Sequence, residues 1–232
     1  MNASERAKLG YAYGQNSGKV RPGEAEAHLV FRGKSDRRAA TPVRRAGGSR
    51  VLRIIGGTWR GRKLRFPASA AIRPTPDRVR ETLFNWLAAA TPGAQCLDLF
   101  AGSGALGLEA LSRGAAHVTF VEQDEAAARE LRSRLAEWHA ADARVGRTDA
   151  LRYLTGAARP FDIVFLDPPF AAGLLERAAA LLDEGRWLGD GALIYVECAA
   201  RDPLPQLPGS WQALKAKQAG EVGYHLFRHA HA

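Results

Sequence analysis

Cys96-Leu97-Asp98-Leu99-Phe100-Ala101-Gly102-Ser103-Gly104-Ala105-Leu106-Gly107 is the stretch that decides the fold. Cys96 to Phe100 is an apolar run broken only by Asp98, and Gly102-Ser103-Gly104 follows almost at once. From Ala105 to Leu111 the apolar residues take helical spacing. The reading is strand, glycine turn, helix. Glycines at 102, 104 and 107 spell G-x-G-x-x-G, a turn in which the backbone comes close to a ligand while the helix start behind it offers unpaired N–H groups. Ordinary α/β turns carry the same pattern, so the flanking residues must decide what binds.

Asp98 argues against a pyrophosphate on that turn. A carboxylate about 4 Å from a phosphate repels it by roughly 4 kcal/mol at an effective dielectric of 20. S-adenosylmethionine has no phosphate and carries an ammonium and a sulfonium, which the same carboxylate attracts. Glu122 ends the next apolar run, His117 to Val121, 20 positions after Gly102, where a carboxylate accepts from ribose hydroxyls. The expected cofactor contacts are therefore Asp98, the turn residues Phe100, Ala101, Gly102, Ser103 and Gly104, and Glu122 with its neighbour Gln123. Asp149 is placed to accept from an adenine amino group and the Ala150 N–H to donate to the ring, although a helix N-cap aspartate would look the same. Thr75 completes the expected set.

At 232 residues with 46% hydrophobic content the chain can build a substantial core. It has no run of 18 apolar residues, and Met1-Asn2-Ala3-Ser4-Glu5-Arg6 lacks the apolar centre of a secretion signal, so a cytoplasmic protein without membrane attachment is expected. Cys96 and Cys198 lie in apolar runs and read as small hydrophobes, and nothing has metal-ligand spacing. The net charge of +9 is concentrated at the front. Residues 1–65 hold 16 Lys/Arg against 4 Asp/Glu, and residues 66–232 hold 17 against 20. Such a block finds phosphate, or serves only to solubilise.

Three segments follow. Residues 1–49, rich in Gly, Ala, Arg and Ser without sustained period, read as a basic flexible tail, or as an extension upstream of the true start. Residues 50–70 read as a β-hairpin turning at Gly56-Gly57, with Arg53, Trp59, Arg60, Arg62, Lys63 and Arg65 suited to RNA phosphate and base stacking. An edge hairpin solubilised by basic residues is the plainer alternative. Residues 71–232 are the main domain. It opens with a helix capped by Thr75, started by Pro76 and Asp77 and running to about Ala90, with Val79, Leu83, Trp86 and Leu87 inward; Arg73 and Arg80 are left for RNA or cofactor. Alternating strands and helices follow until two terminal strands. The sheet is therefore mostly parallel with an antiparallel hairpin at one edge.

The chemistry falls at Asp167-Pro168-Pro169-Phe170, which ends the buried strand Phe161 to Leu166. Two prolines lack N–H groups, so with the Asp167 carboxylate the corner is a surface of acceptors. Its guest is an NH₂ group, whose nitrogen gains electron density when both hydrogens are accepted. Phe170 offers a ring for an extruded base to stack on. These four are the expected catalytic residues, acting by orientation and electrostatics in an in-line displacement without a metal.

DLFAGSG, VEQD, TDA and FDIVFLDPPF together resemble the class I S-adenosylmethionine-dependent amino-methyltransferases. RIIGGTWRGRKLRFP, RPTPDRVRETLFNWL and CLDLFAGSGALGLEALSRGA resemble, more narrowly, the bacterial RsmD family, over residues 51–228. The resemblance implies a Rossmann-like fold with a seven-stranded sheet and helices on both faces. It implies methyl transfer to the 2-amino group of one guanine in 16S ribosomal RNA, within the 30S subunit or a late assembly intermediate, releasing S-adenosylhomocysteine. No obligate protein partner follows from it. The rival readings are an amino-methyltransferase of adenine or cytosine, or of a glutamine side chain, a nicotinamide-dependent oxidoreductase, and a non-catalytic RNA-binding module.

Overall fold

A computed structural model describes residues 49–67, 75–169 and 173–230. All of them fall within one compact unit, Arg45–Ala232. The basic tail, Arg73 and Phe170 lie outside the described residues.

Seven strands form one sheet: β3 (Gln95–Asp98), β4 (His117–Glu122), β5 (Ala143–Arg147), β6 (Phe161–Leu166), β7 (Leu188–Ala199), β8 (Trp211–Ala219) and β9 (Val222–His229), in the order β5-β4-β3-β6-β7-β9-β8. The first five positions are parallel, and β9 runs antiparallel to both of its neighbours. Parallel strands covered on both faces have no polar side, and β6 shows it. Its Ile163 and Phe165 join one buried cluster while Val164 and Leu166 join another. Three helices cover the first face: α1 (Asp77–Trp86), α2 (Ala105–Ser112) and α3 (Glu125–Glu137). Two cover the second, α4 (Ala150–Leu154) and α5 (Leu174–Glu184). The chain leaves β3 for β4 on one side and reaches β6 on the other, so the strand order reverses between β3 and β6. Open α/β sheets bind ligands at such a point, beyond the carboxyl ends of the strands.

The N-terminal pair, β1 (Ser49–Arg53) and β2 (Lys63–Pro67), is antiparallel and forms a separate sheet. Gly56-Gly57 is not its turn, as the sequence had suggested. Arg53 pairs with Lys63, and residues 54–62 form the connection. The glycines serve a close approach to α2. Gly57 has φ +76°, and a Cβ there would stand 1.7 Å from the Ser112 carbonyl oxygen. Helix α1 also departs from expectation. It starts at Asp77 after Pro76, without a side-chain cap, and ends at Trp86. Trp86 is only half-buried and stacks on Tyr224 at 5.5 Å, while Phe84 takes the core position.

Candidate active site

Two strand-end carboxylates brace the glycine turn from within. Asp98, the last residue of β3 and 3% exposed, accepts the Gly107 N–H through Oδ2 at 3.0 Å. Glu122, the last of β4, accepts the Gly102 N–H at 2.7 Å and the Asp124 N–H at 2.7 Å, one on each oxygen. Burial raises the Asp98 carboxyl to about 7, opposed by the Gly107 N–H and reinforced by the charge of Glu122. A group poised there ionises readily when a cation arrives.

The three glycines divide their work differently from the expected ligand approach. Gly102, at φ +51°, shapes the turn. A Cβ at Gly104 would meet Leu131 at 2.6 Å, and one at Gly107 would meet the Phe120 ring at 2.2 Å, so both let α2 lie close to its neighbours. Gly107→Ala is expected to cost about 1–3 kcal/mol by overpacking, read as a lower urea midpoint with an unchanged slope. A variant as stable as the parent would show that the α2–β4 contact is loose. Around the turn, Phe100 and Ser103 are half-buried, Ala101 is buried with its N–H on the Val121 carbonyl, and Gln123 is exposed. Asp149 is the N-cap of α4, accepting the Arg152 N–H at 3.0 Å, and Ala150 is buried behind it.

Beside this turn, Asp167 follows β6 and is half-buried, Pro168 is buried and Pro169 is exposed. Thr75 is not the cap of α1. Its hydroxyl lies 2.8 Å from Glu197 Oε1 and 3.3 Å from Asp167 Oδ2. The Tyr195 hydroxyl donates to the same Glu197 oxygen at 2.8 Å. Burial holds the Asp167 carboxyl well above the usual carboxylate range, helped by the charges of Glu197 and Asp98 and opposed by Thr75. Glu197 and Tyr195 were not anticipated from sequence. The signal was available, since Glu197 is an acid inside the apolar run Leu193 to Cys198.

The basic residues near the front separate into two groups. Arg60, Arg62 and Lys63 are exposed, and Arg53 is exposed with its Nε 3.4 Å from Asp77. Trp59 is half-buried with its ring 5.2 Å from that of Trp138, over which Arg62 also lies at 5.3 Å. Arg80 is unavailable to RNA. Its side chain is 0% exposed and bonds Asp77, the Arg53 carbonyl and, at 3.5 Å, Glu109. Position 80 falls on the buried face of α1 beside Val79, which the cation's charge had masked. Arg65 belongs to β2.

Cys96 is buried and its thiol is pushed up to about 12, chiefly by burial, which leaves it inert; Cys198 is half-buried, 3.7 Å from His225 Nε2. Among the described residues no group of three or more His, Cys, Asp or Glu is arranged to hold a metal ion, and no helix is long and apolar enough to cross a membrane.

Residues 52–228 match the family described as Conserved hypothetical protein 95. The Ribosomal RNA small subunit methyltransferase D of Escherichia coli strain K12 is 54% identical over 181 residues, which are 78% of this chain and 91% of that protein. A solved structure of a candidate methyltransferase from Escherichia coli, yhhF, superposes with TM-score 0.72 at 50% identity, covering 78% of this chain and 98% of that one. The 16S rRNA N2 G1207 methyltransferase of Thermus thermophilus, solved with S-adenosylmethionine and guanosine, superposes with TM-score 0.55 at 28% identity, covering 79% of this chain and 50% of that one.

Proposed function

The chain belongs to the family of Conserved hypothetical protein 95, the RsmD family of ribosomal RNA small-subunit methyltransferases, and from that premise we propose that it methylates the exocyclic 2-amino group of one guanine in 16S ribosomal RNA. The observation that carries the choice of an amino acceptor is Asp167-Pro168-Pro169 at the switch point, next to the glycine turn. In the register of the sheet Asp98 pairs with Phe165, two residues before Asp167, so the two acidic corners end adjacent strands. The guanine assignment draws support from the Thermus thermophilus enzyme, whose guanosine complex shares this fold. S-adenosylmethionine, when bound, supplies an electrophilic methyl group.

The residues present fit that cofactor. Asp98, Glu122 and Asp149 present acceptors at consecutive strand ends, and among the described residues no Lys or Arg forms an ion pair with Asp98 or Glu122. A ligand bearing positive charge and ribose hydroxyls matches such a set, whereas a pyrophosphate does not. Asp167 and the proline carbonyls accept from the amino group and hold its nitrogen toward the turn, and Phe170 stacks on the base. After transfer, the nitrogen is acidic enough to give its proton to Asp167 or water.

The substrate is read as the small ribosomal subunit or a late assembly form of it, in the cytoplasm. Purified protein, labelled S-adenosylmethionine and undermethylated small subunits should yield N2-methylguanosine on nucleoside digestion. Label found instead in methyladenosine, methylcytidine or protein would overturn the assignment.

RNA contact is assigned to Arg53, Arg60, Arg62 and Lys63 with the basic tail. Replacing Arg60, Arg62 and Lys63 together by alanine should weaken RNA binding and reduce the slope of log affinity against log salt by about 2–3. The rate at saturating RNA should be unchanged, and removing residues 1–48 should act in the same direction. A salt slope equal to that of the parent would place the RNA elsewhere.

A further inference from the structure

Asp167 has a companion carboxyl that no part of the proposed reaction uses. The parallel register pairs Leu166 of β6 with Val196 of β7, so Asp167 and Glu197 stand side by side one residue further on. Among the described residues one hydroxyl, that of Thr75, lies between them, its oxygen closer to Glu197 at 2.8 Å than to Asp167 at 3.3 Å. Glu197 is 3% exposed and its Oε1 also accepts from Tyr195. Among the described residues Oε1 thus collects two donors, while Asp167 shares one of them. We propose that Asp167 and Glu197 work as one unit bridged by Thr75, in which Asp167 touches the substrate's amino group and Glu197, anchored by Tyr195, is a positioning residue. The inference rests on the amino-methyltransferase reading and adds Glu197, Tyr195 and Thr75 to it.

The charges around the pair favour an uneven split of protons. Asp167 faces Glu197 from β7 and Asp98 from β3, and Tyr195 faces Glu197, Asp167 and, from β9, Tyr224. Among the described residues no Lys, Arg or His forms an ion pair with Asp167 or Glu197. Two neighbouring carboxyls, one buried and one half-buried, with no cation paired to either do not both ionise near neutrality. Burial raises both, and hydroxyls pull both back. Tyr195 and the nearer Thr75 act on Glu197, whereas among the described residues Thr75 alone, at its longer distance, acts on Asp167, so in the proposed unit the shared proton resides on Asp167. A protonated Asp167 cannot accept both amino hydrogens as well as its carboxylate does. Activity therefore rises with pH as Asp167 ionises, and Glu197 sets where that happens.

The test is a carboxyl carbon NMR titration of the free protein, with the Asp167 signal identified by Asp167→Asn, run beside the pH profile of kcat/KM. In Glu197→Gln the Asp167 midpoint should fall by about one pH unit or more, and the acid limb of kcat/KM should fall with it. Tyr195→Phe removes only the hydroxyl that stabilises Glu197 as an anion. Glu197 then draws the proton from Asp167, and both midpoint and limb should again move down, by less. An unmoved midpoint in Glu197→Gln with parental melting temperature and cofactor affinity overturns the proposal, as does a midpoint that moves while the limb does not. Should Glu197→Gln fail to fold, an unmoved midpoint in Tyr195→Phe overturns it. A parent protein that methylates no guanine amino group sinks the functional reading instead, and the titration of the pair is still read without activity.

Discussion

Asp167→Ala should lower the rate of methyl transfer by about a thousandfold while leaving S-adenosylmethionine affinity within about a factor of three. The carboxylate is expected to act on the amino group, where charge develops as the nitrogen attacks, and an acceptor aimed at developing charge in a partly buried corner is worth far more than one in water. In the proposed function the cofactor is held by other groups, at the ends of β3, β4 and β5. Removing the carboxylate also frees Thr75 to donate to Glu197 alone, at its shorter distance of 2.8 Å, so the buried network survives. Single-turnover rates with saturating RNA, paired with calorimetric titration of the cofactor, separate the two effects. Equal loss of both would mean that Asp167 belongs to the cofactor site, and a rate within about tenfold of the parent would mean that the proline carbonyls suffice.

The parallel core was legible because its central strands announce themselves as apolar runs and its helices as a change of period, and β6 is seen just where it was expected, at Phe161–Leu166. Legibility failed where a residue's partner is distant in sequence. Thr75 stands where a helix cap belongs and has the right side chain for one, yet its hydroxyl is used across 92 and 122 positions, by Asp167 and Glu197. Gly56-Gly57 looks like a tight turn because close approach to a partner and reversal of direction ask for the same residue. The approach is to Ser112, which no local pattern reveals. Arg80 failed for a related reason. A cation in a basic neighbourhood reads as surface, and only the packing of α1 against α2 shows it to be enclosed by acids. Local period reports which face an element buries, and pairs between elements decide what each polar side chain does.

Glu109→Ala should be the most destabilising of the single substitutions considered, by about 3–5 kcal/mol. Glu109, wholly buried on α2, is the common acceptor for four groups: the Ile55 and Gly56 N–H at 2.8 Å each, Arg113 at 2.8 Å, and Arg80 at 3.5 Å. Without it, Arg80 keeps a buried guanidinium opposed, among the described residues, only by the partly exposed Asp77, and its Nε already has no hydrogen-bond partner there. Two backbone N–H groups lose their acceptor at the same time, each costing about 1–3 kcal/mol if it stays dry. Arg80→Leu combined with Glu109→Leu should recover part of the loss, since the stranded charge disappears while the two N–H groups remain unmet. The consequence reaches function, because Glu109 ties the Ile55-Gly56 end of the basic loop to the helix that closes the glycine turn. Chemical denaturation of Arg80→Leu, Glu109→Leu and the double variant gives the coupling. In the folded fraction of Glu109→Ala, RNA should bind more weakly while cofactor affinity changes little. A loss below about 1 kcal/mol would mean that water reaches the site and that the loop is docked by Thr58, Trp59 and Ser112 instead.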